Sequence, residues 1–171
     1  MARRTIHIDL MDLGSIQAAM REVEDYRRWL NAKCAELAQK LADMGSVNVS
    51  LGYARAIYDG PKDYEVSVEQ RGKATYAIVA SGMTVLILEF GAGVTYGAGH
   101  PQAGEFGFGP GTYPGQEHAM DPNGWFFSDY DGGGRYSRRT WGNPPSMTMY
   151  LTARDLREHI EEVAREVFSN D

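Results

Sequence analysis

The sequence predicts one α+β domain in which a mainly antiparallel sheet is packed by a long N-terminal helix and a C-terminal helix. Three patterns support this. Apolar residues recur at helical spacing over residues 15–44, alternate with polar residues between short turns over 46–90, and return to helical spacing over 152–168. A chain of 171 residues can build one core and is short for two domains.

The segment before the first helix, residues 1–14, predicts either a short edge strand or an extended arm. Ile6, Ile8 and Leu10 alternate there with polar residues. Ser15 follows at a position suited to an N-cap.

The first helix carries a long apolar stripe, interrupted at Arg27, and Gly45 is placed to end it. Such a helix would be roughly 45 Å long, more than a domain of this size can cover. Two interpretations follow: a core helix under a sheet, or a helix whose stripe packs partly on a neighbouring subunit. The stripe residues alternate at spacings of four and three: Ile16, Met20, Val23, Leu30, Cys34, Leu37, Leu41 and Met44.

The segment 46–90 predicts a meander of antiparallel strands. Alternation over 47–53, 64–69 and 75–80 predicts strands with one wet face, separated by glycine-containing turns. The run 83–90 is almost continuously apolar and predicts a central strand covered on both faces.

Residues 91–124 lack regular periodicity and predict a long loop rich in glycine and aromatic residues. A strand pair is predicted over 125–141, and the last helix over 152–168. Thr152 and Asp155 have the spacing of a capping box at the start of that helix. With these elements the predicted meander has about four to six strands.

The net charge, the length of the apolar runs and the cysteine count argue against several classes of function. A net charge of -6 gives no basic surface for sequence-specific nucleic-acid binding, and no apolar run is long enough to span a membrane. Cys34 alone cannot form an internal disulfide, which fits folding in a reducing cytoplasm.

No motif predicts a cofactor, a metal or a catalytic centre. Gly91, Gly93 and Gly97 depart from the dinucleotide-binding spacing and precede no helix. His100 and His118 share the loop with carboxylates but lack metal-ligand spacing. We therefore expect a structural protein rather than an enzyme, with a surface made for protein contact.

Several short motifs resemble the phage tail-component proteins, the group that contains head–tail joining, neck and minor tail proteins. The order of helices, strands and loop also agrees from about residue 15 onward. The segments that carry the resemblance are Val85-Leu-Ile-Leu-Glu-Phe-Gly-Ala-Gly93, Gly99-His100-Pro101, Trp125-Phe126-Phe127, Arg138-Arg-Thr-Trp-Gly142 and Pro144-Pro-Ser-Met147.

The resemblance implies a virion part that forms a ring with copies of itself, commonly a hexamer, at the head–tail junction or the end of the tail tube. Its other partners would be head–tail connector or tail tube proteins, and it would be made in the cytoplasm of a bacterial host. The resemblance implies no catalytic residues.

Loop length and aromatic content predict which residues serve assembly. Glu89 has a second interpretation, as a carboxylate that caps loop amides. Two alternatives remain: a small hydrolase using Glu89, His100 or His118, and a glycan- or ligand-binding module on the aromatic loop. The predicted assembly residues are Glu89, Phe90, Tyr96, His100, Phe106, Phe108, Tyr113 and Trp141.

Overall fold

The structure of the chain is a computed structural model, which describes residues 5–96, 99–108, 120–130 and 135–169. It confirms the α+β class, with a long N-terminal helix, a C-terminal helix and antiparallel strands. The elements in chain order are α1 (Leu13–Arg55), β1 (Glu65–Gly72), β2 (Thr75–Ser81), α2 (Val85–Phe90), a 3-10 helix (Ala103–Phe106), β3 (Trp125–Tyr130), β4 (Arg135–Thr140) and α3 (Thr148–Ser169).

The segment before α1 is an arm, since residues 5–12 contain no strand. The N-cap of α1 is Asp12 rather than Ser15, because its carboxylate accepts the amide hydrogens of Gly14 and Ser15 at 2.9 and 3.2 Å. Ser15 instead accepts the backbone N–H of Asp9 at 2.8 Å, which ties the arm to the first turn of the helix.

Helix α1 continues past Gly45, so the predicted helix end there and the strand over 47–53 are both wrong. Within the helix, Val49 and Tyr53 are buried, whereas Val47 and Leu51 lie on the outer face and are 56% and 47% exposed. Two apolar helix faces therefore produced the alternation that predicts a strand.

Gly45 is a packing residue. A Cβ built on it would lie 2.3 Å from Ile78 Cδ1 and 2.9 Å from Leu156 Cδ1. The missing side chain lets β2 and α3 approach the α1 backbone closely.

Replacing Gly45 with alanine is therefore expected to lower the free energy of unfolding by about 1 kcal/mol, because overpacking outweighs the gain in helix propensity. Urea unfolding of the two proteins measures the difference. A gain of stability would show that Gly45 is not closely packed.

The predicted central strand over 83–90 is also wrong, because residues Val85–Phe90 form the short helix α2. A short buried apolar run has the same composition in either structure, so periodicity cannot distinguish them. Asp63 fixes the entry to α2, since its carbonyl accepts the Thr84 hydroxyl at 2.7 Å and its carboxylate accepts the Met83 N–H at 3.0 Å.

The strands form two separate hairpins among the described residues, not one meander of four to six strands. The pair β1–β2 lies against α1, with Val66 opposite Ala80 and Val68 opposite Ile78. The pair β3–β4 matches the strand pair predicted over 125–141.

The core lies at the C-terminal end of α1, where Val49, Tyr53 and Leu88 form a buried cluster under the first hairpin. Helix α3 begins at Thr148, so Thr152 lies inside the helix, where it is buried, and the predicted capping box is wrong. Asp155 accepts instead from the Asn48 side chain of α1 at 3.2 Å.

Helix α3 runs antiparallel to α1, and its C-terminal end falls short of the N-terminal end of α1. The contacts progress from Gly52 beside Thr148, through Lys40 with Glu166 at 2.5 Å, to the rings of Trp29 and Phe168, 5.8 Å apart. Residues 13–28 of α1 therefore extend beyond α3 by roughly 24 Å, and we call them the overhang.

Every side chain from residue 20 to residue 28 is exposed. More than two turns of the overhang thus have no covered face within the described chain. In that described part, no helix combines the length and apolar character needed to cross a membrane.

Candidate functional site

The carboxylate of Glu89, at the end of α2, is the centre of the site. The residue is 5% exposed, and four donors converge on its two oxygens. Oε2 accepts the Tyr53 hydroxyl at 3.0 Å and the Met149 N–H at 2.9 Å. Oε1 accepts the Tyr150 N–H at 3.1 Å and lies 3.2 Å from His100 Nε2.

Glu89 takes the place of an N-cap side chain for α3. Met149 and Tyr150 are the second and third residues of that helix, whose amides a capping side chain normally satisfies. Met147 precedes the helix and has no oxygen in its side chain. The negative carboxylate also lies at the positive end of the helix dipole, which stabilises the buried charge.

Tyr53 and His100 complete the coordination of the carboxylate. Burial, the charge of Glu89 and the hydrogen bond to it all raise the pKa of Tyr53, so Tyr53 remains a neutral donor. The N–H of Gln102 points at His100 Nδ1, 3.2 Å away. These partners assign an acceptor role to Nδ1 and the proton to Nε2, from which it is donated to Glu89.

This arrangement holds separate chain segments together, and its hydrogen-bonding atoms are occupied within the protein. Both oxygens of Glu89 and both ring nitrogens of His100 are used inside the protein. Neither residue presents a free lone pair to a substrate, so the geometry offers no general base at this pair. His118, the third residue of the hydrolase alternative, lies outside the described residues.

Next to Glu89, two backbone segments cross in direct contact. Ala92 and Asn143 exchange both backbone hydrogen bonds, at 3.0 and 2.9 Å. Gly91, Gly93 and Gly142 flank this pair and all have positive φ, which favours glycine. A Cβ on Gly142 would lie 1.8 Å from the carbonyl oxygen of Ala92. The glycines thus permit the crossing, which we name the 92/143 crossing.

Phe90 organises the described part of the aromatic loop. Its ring centroid lies 4.3 Å from that of His100, 4.5 Å from Phe108 and 5.6 Å from Phe106. The 3-10 helix Ala103–Phe106 therefore rests on the end of α2. The loop is held by these rings on one side and by the 92/143 crossing on the other.

The predicted assembly residues divide into two groups. Glu89, Phe90 and His100 are buried, so in this conformation they support the loop and do not touch a partner directly. Tyr96, Phe106 and Trp141 are exposed and Phe108 is partly buried, and their role in assembly stays a prediction. Tyr113 lies outside the described residues.

A second aromatic surface joins Trp141, a predicted assembly residue, to Phe126 and Arg139, which were not predicted to serve assembly. The guanidinium of Arg139 lies 5.0 Å from the ring of Trp141 and 5.9 Å from that of Phe126, which is largely exposed. Phe126 and Arg139 are directly opposite in the β3–β4 register. Residues two apart in a strand lie on the same face, so the spacing of Arg139 and Trp141 could have predicted their contact from the sequence.

No group of three potential metal ligands occurs among the residues that the structure describes. Comparison of the chain with protein families, curated proteins and solved structures gives no match. The function is therefore inferred from the sequence motifs and from the geometry.

Proposed function

We propose that this chain is a structural subunit of a tailed-phage or prophage particle, acting at the head–tail junction or in tail completion, and that it works as a closed ring of identical copies. The observation that carries this proposal is the overhang of α1. More than two turns of the overhang, residues 20–28, have no face covered by the described residues, and their exposed apolar side chains suit packing on a partner.

The overhang has the pattern of a helix that packs on another protein. Met20 and Val23, 61% and 53% exposed, belong to the stripe whose later members Leu30 and Leu37 are partly buried. Isolated helices of this length are marginal in water. Burying a side chain such as Met20 or Val23 contributes about 1.5–3 kcal/mol, so a neighbouring copy would stabilise the overhang.

The site around Glu89 supports the same function. It holds α2, the aromatic loop and the start of α3 in one arrangement, and contact surfaces built on such a framework lose little entropy on binding. The segment 85–93, which carries much of the resemblance to phage tail components, serves here as framework.

The charge of the chain is compatible with DNA passing through a ring. Each lysine or arginine that contacts phosphate adds salt-dependent affinity, which would hinder sliding. A net charge of -6 avoids a strong general attraction of this kind. The partners in the particle would be connector or tail tube proteins, met after synthesis in the bacterial cytoplasm.

Replacing Met20 with glutamate is expected to weaken assembly about 10- to 100-fold, because the contact loses the apolar burial of one side chain and gains a buried charge. Sedimentation of the variant at several concentrations measures this. The exposed Gln17 offers a control, since Gln17→Glu adds the same charge nearby without removing an apolar side chain. Unchanged assembly of Met20→Glu would contradict a role for the overhang.

A further inference from the structure

We propose that the N-terminal arm of one copy docks into an apolar groove at the opposite end of α1 in the next copy. This inference rests on the proposed ring and specifies how its subunits engage. The arm is residues 5–12. The groove lies between the last turns of α1 and the start of α3.

The groove is an open surface with a volume of about 460 Å³. Ile57, Pro144 and Leu151 contribute apolar walls, and Ile57 remains 69% exposed. The outer face of α1 adds the exposed Val47 and Leu51 nearby in the sequence. These exposed apolar side chains make the groove and the adjoining face of α1 candidates for an interaction site.

The arm presents complementary chemistry. Its apolar side chains are poorly covered, with Leu10 80% and Met11 95% exposed, and Ile8 more than half exposed. The arm is not paired in a sheet. A segment with large exposed apolar side chains gains by entering an apolar groove, because that apolar surface is removed from water.

The arm of the same chain cannot reach this groove. Leu13 and Gly52 are at opposite ends of α1, roughly 58 Å apart at the rise of an α-helix. The eight residues of the arm span at most about 27 Å when fully extended. An arm that fills this groove therefore comes from a second copy, which is the occupant that we propose.

This arrangement is head to tail, because each copy offers an arm at one end of α1 and a groove at the other. Heterologous contacts of this type close into rings when the rotation between copies allows it. The docked arm would lead directly into the overhang, which would then lie near the neighbour that holds the arm. One interface thus accounts for both unpartnered apolar surfaces.

The charges are also complementary. Among the described residues that line the groove, the charged one is Arg55. The arm carries carboxylates at Asp9 and Asp12, of which Asp12 caps α1. Asp9 is exposed and is the carboxylate that we place near Arg55 of the next copy. Such a pair would set the register of the arm more than it adds affinity.

The first test uses the full chain and measures assembly by sedimentation over a range of concentrations. Leu10→Asp with Met11→Asp, and separately Ile57→Asp, are expected to weaken assembly at least about 10-fold. Met83→Asp is the control, because Met83 is 85% exposed and lies outside both surfaces. Assembly of the arm and groove variants at wild-type strength overturns the docking while leaving the ring intact. A wild-type chain that stays monomeric overturns both proposals.

A second test locates the arm. In a Cys34→Ser background exposed to an added mild oxidant, which takes up the two electrons of each thiol pair, Met11→Cys with Ile57→Cys is expected to give a ladder of disulfide-linked multimers. Met11→Cys with Met83→Cys under the same conditions is expected to give none. Reversing both charges, Asp9→Arg with Arg55→Asp, is expected to restore assembly that either change alone weakens. Weakened assembly of the arm variant without the Met11–Ile57 cross-link would show that the arm docks elsewhere and overturn the groove assignment.

Discussion

Replacing Glu89 with glutamine is expected to lower the free energy of unfolding by about 3 kcal/mol, measured by urea unfolding. Four donors point at the carboxylate: Tyr53, His100, and the amides of Met149 and Tyr150. Glutamine has one acceptor oxygen, and its amino group would face donors. The helix dipole of α3 would also lose the negative charge that it stabilises.

Glu161→Gln is the matched control, because Glu161 is an exposed member of an ion pair with Arg165 and should be replaced with little effect. Tyr53→Phe removes one donor and leaves the other three, so we expect a smaller loss of about 1 kcal/mol. If Glu89→Gln unfolded at the same urea concentration as Glu161→Gln, the carboxylate would not be the link that we describe.

Replacing Gly142 with alanine is expected to cost about 3 kcal/mol or more. The added Cβ would meet the carbonyl oxygen of Ala92, which is backbone and cannot move without opening the 92/143 crossing. The residue also has a φ of 91°, which an alanine adopts only with strain. Hydrogen exchange at the Ala92 and Asn143 amides should rise together with the loss of stability.

Gly104→Ala offers the comparison, since nothing lies within 4 Å of a Cβ at Gly104 and its φ is not in the left-handed region. That variant should unfold within about 0.5 kcal/mol of the wild type. Equal stability of the two alanine variants would show that the 92/143 crossing is not a close backbone contact.

The sequence predicted those parts of the fold that depend on local signals. The hairpin β1–β2 follows from alternation on both sides of a tight turn, and β3–β4 and the body of α3 follow equally from local pattern. These elements, together with the apolar stripe of α1, were sufficient to predict the α+β class.

The predicted helix end at Gly45 and the predicted strand over 47–53 were wrong because the local sequence there is compatible with two structures. Gly45 can end a helix or admit a neighbouring side chain, and the choice depends on Ile78 and Leu156, which are distant in sequence. The apolar residues on both faces of α1 near residue 50 produce strand-like alternation. The outer members, Val47 and Leu51, break the usual helical pattern because they remain exposed.

The site was only partly predictable for the same reason. A carboxylate that caps amides was one interpretation of Glu89, but its amides belong to a helix 60 residues further along the chain. Local pattern carries no information about that pairing. The burial of Phe90 and His100 likewise depends on how the loop folds back, which aromatic content alone does not specify.

We propose that identical copies of this chain form a closed ring. The most direct measurement is the mass of the purified wild-type protein in solution across a wide range of concentrations, with imaging of any large species. We expect one closed oligomer of fixed stoichiometry, with six copies as the size that the sequence resemblance implies. A mass of 19.0 kDa at every concentration would contradict it.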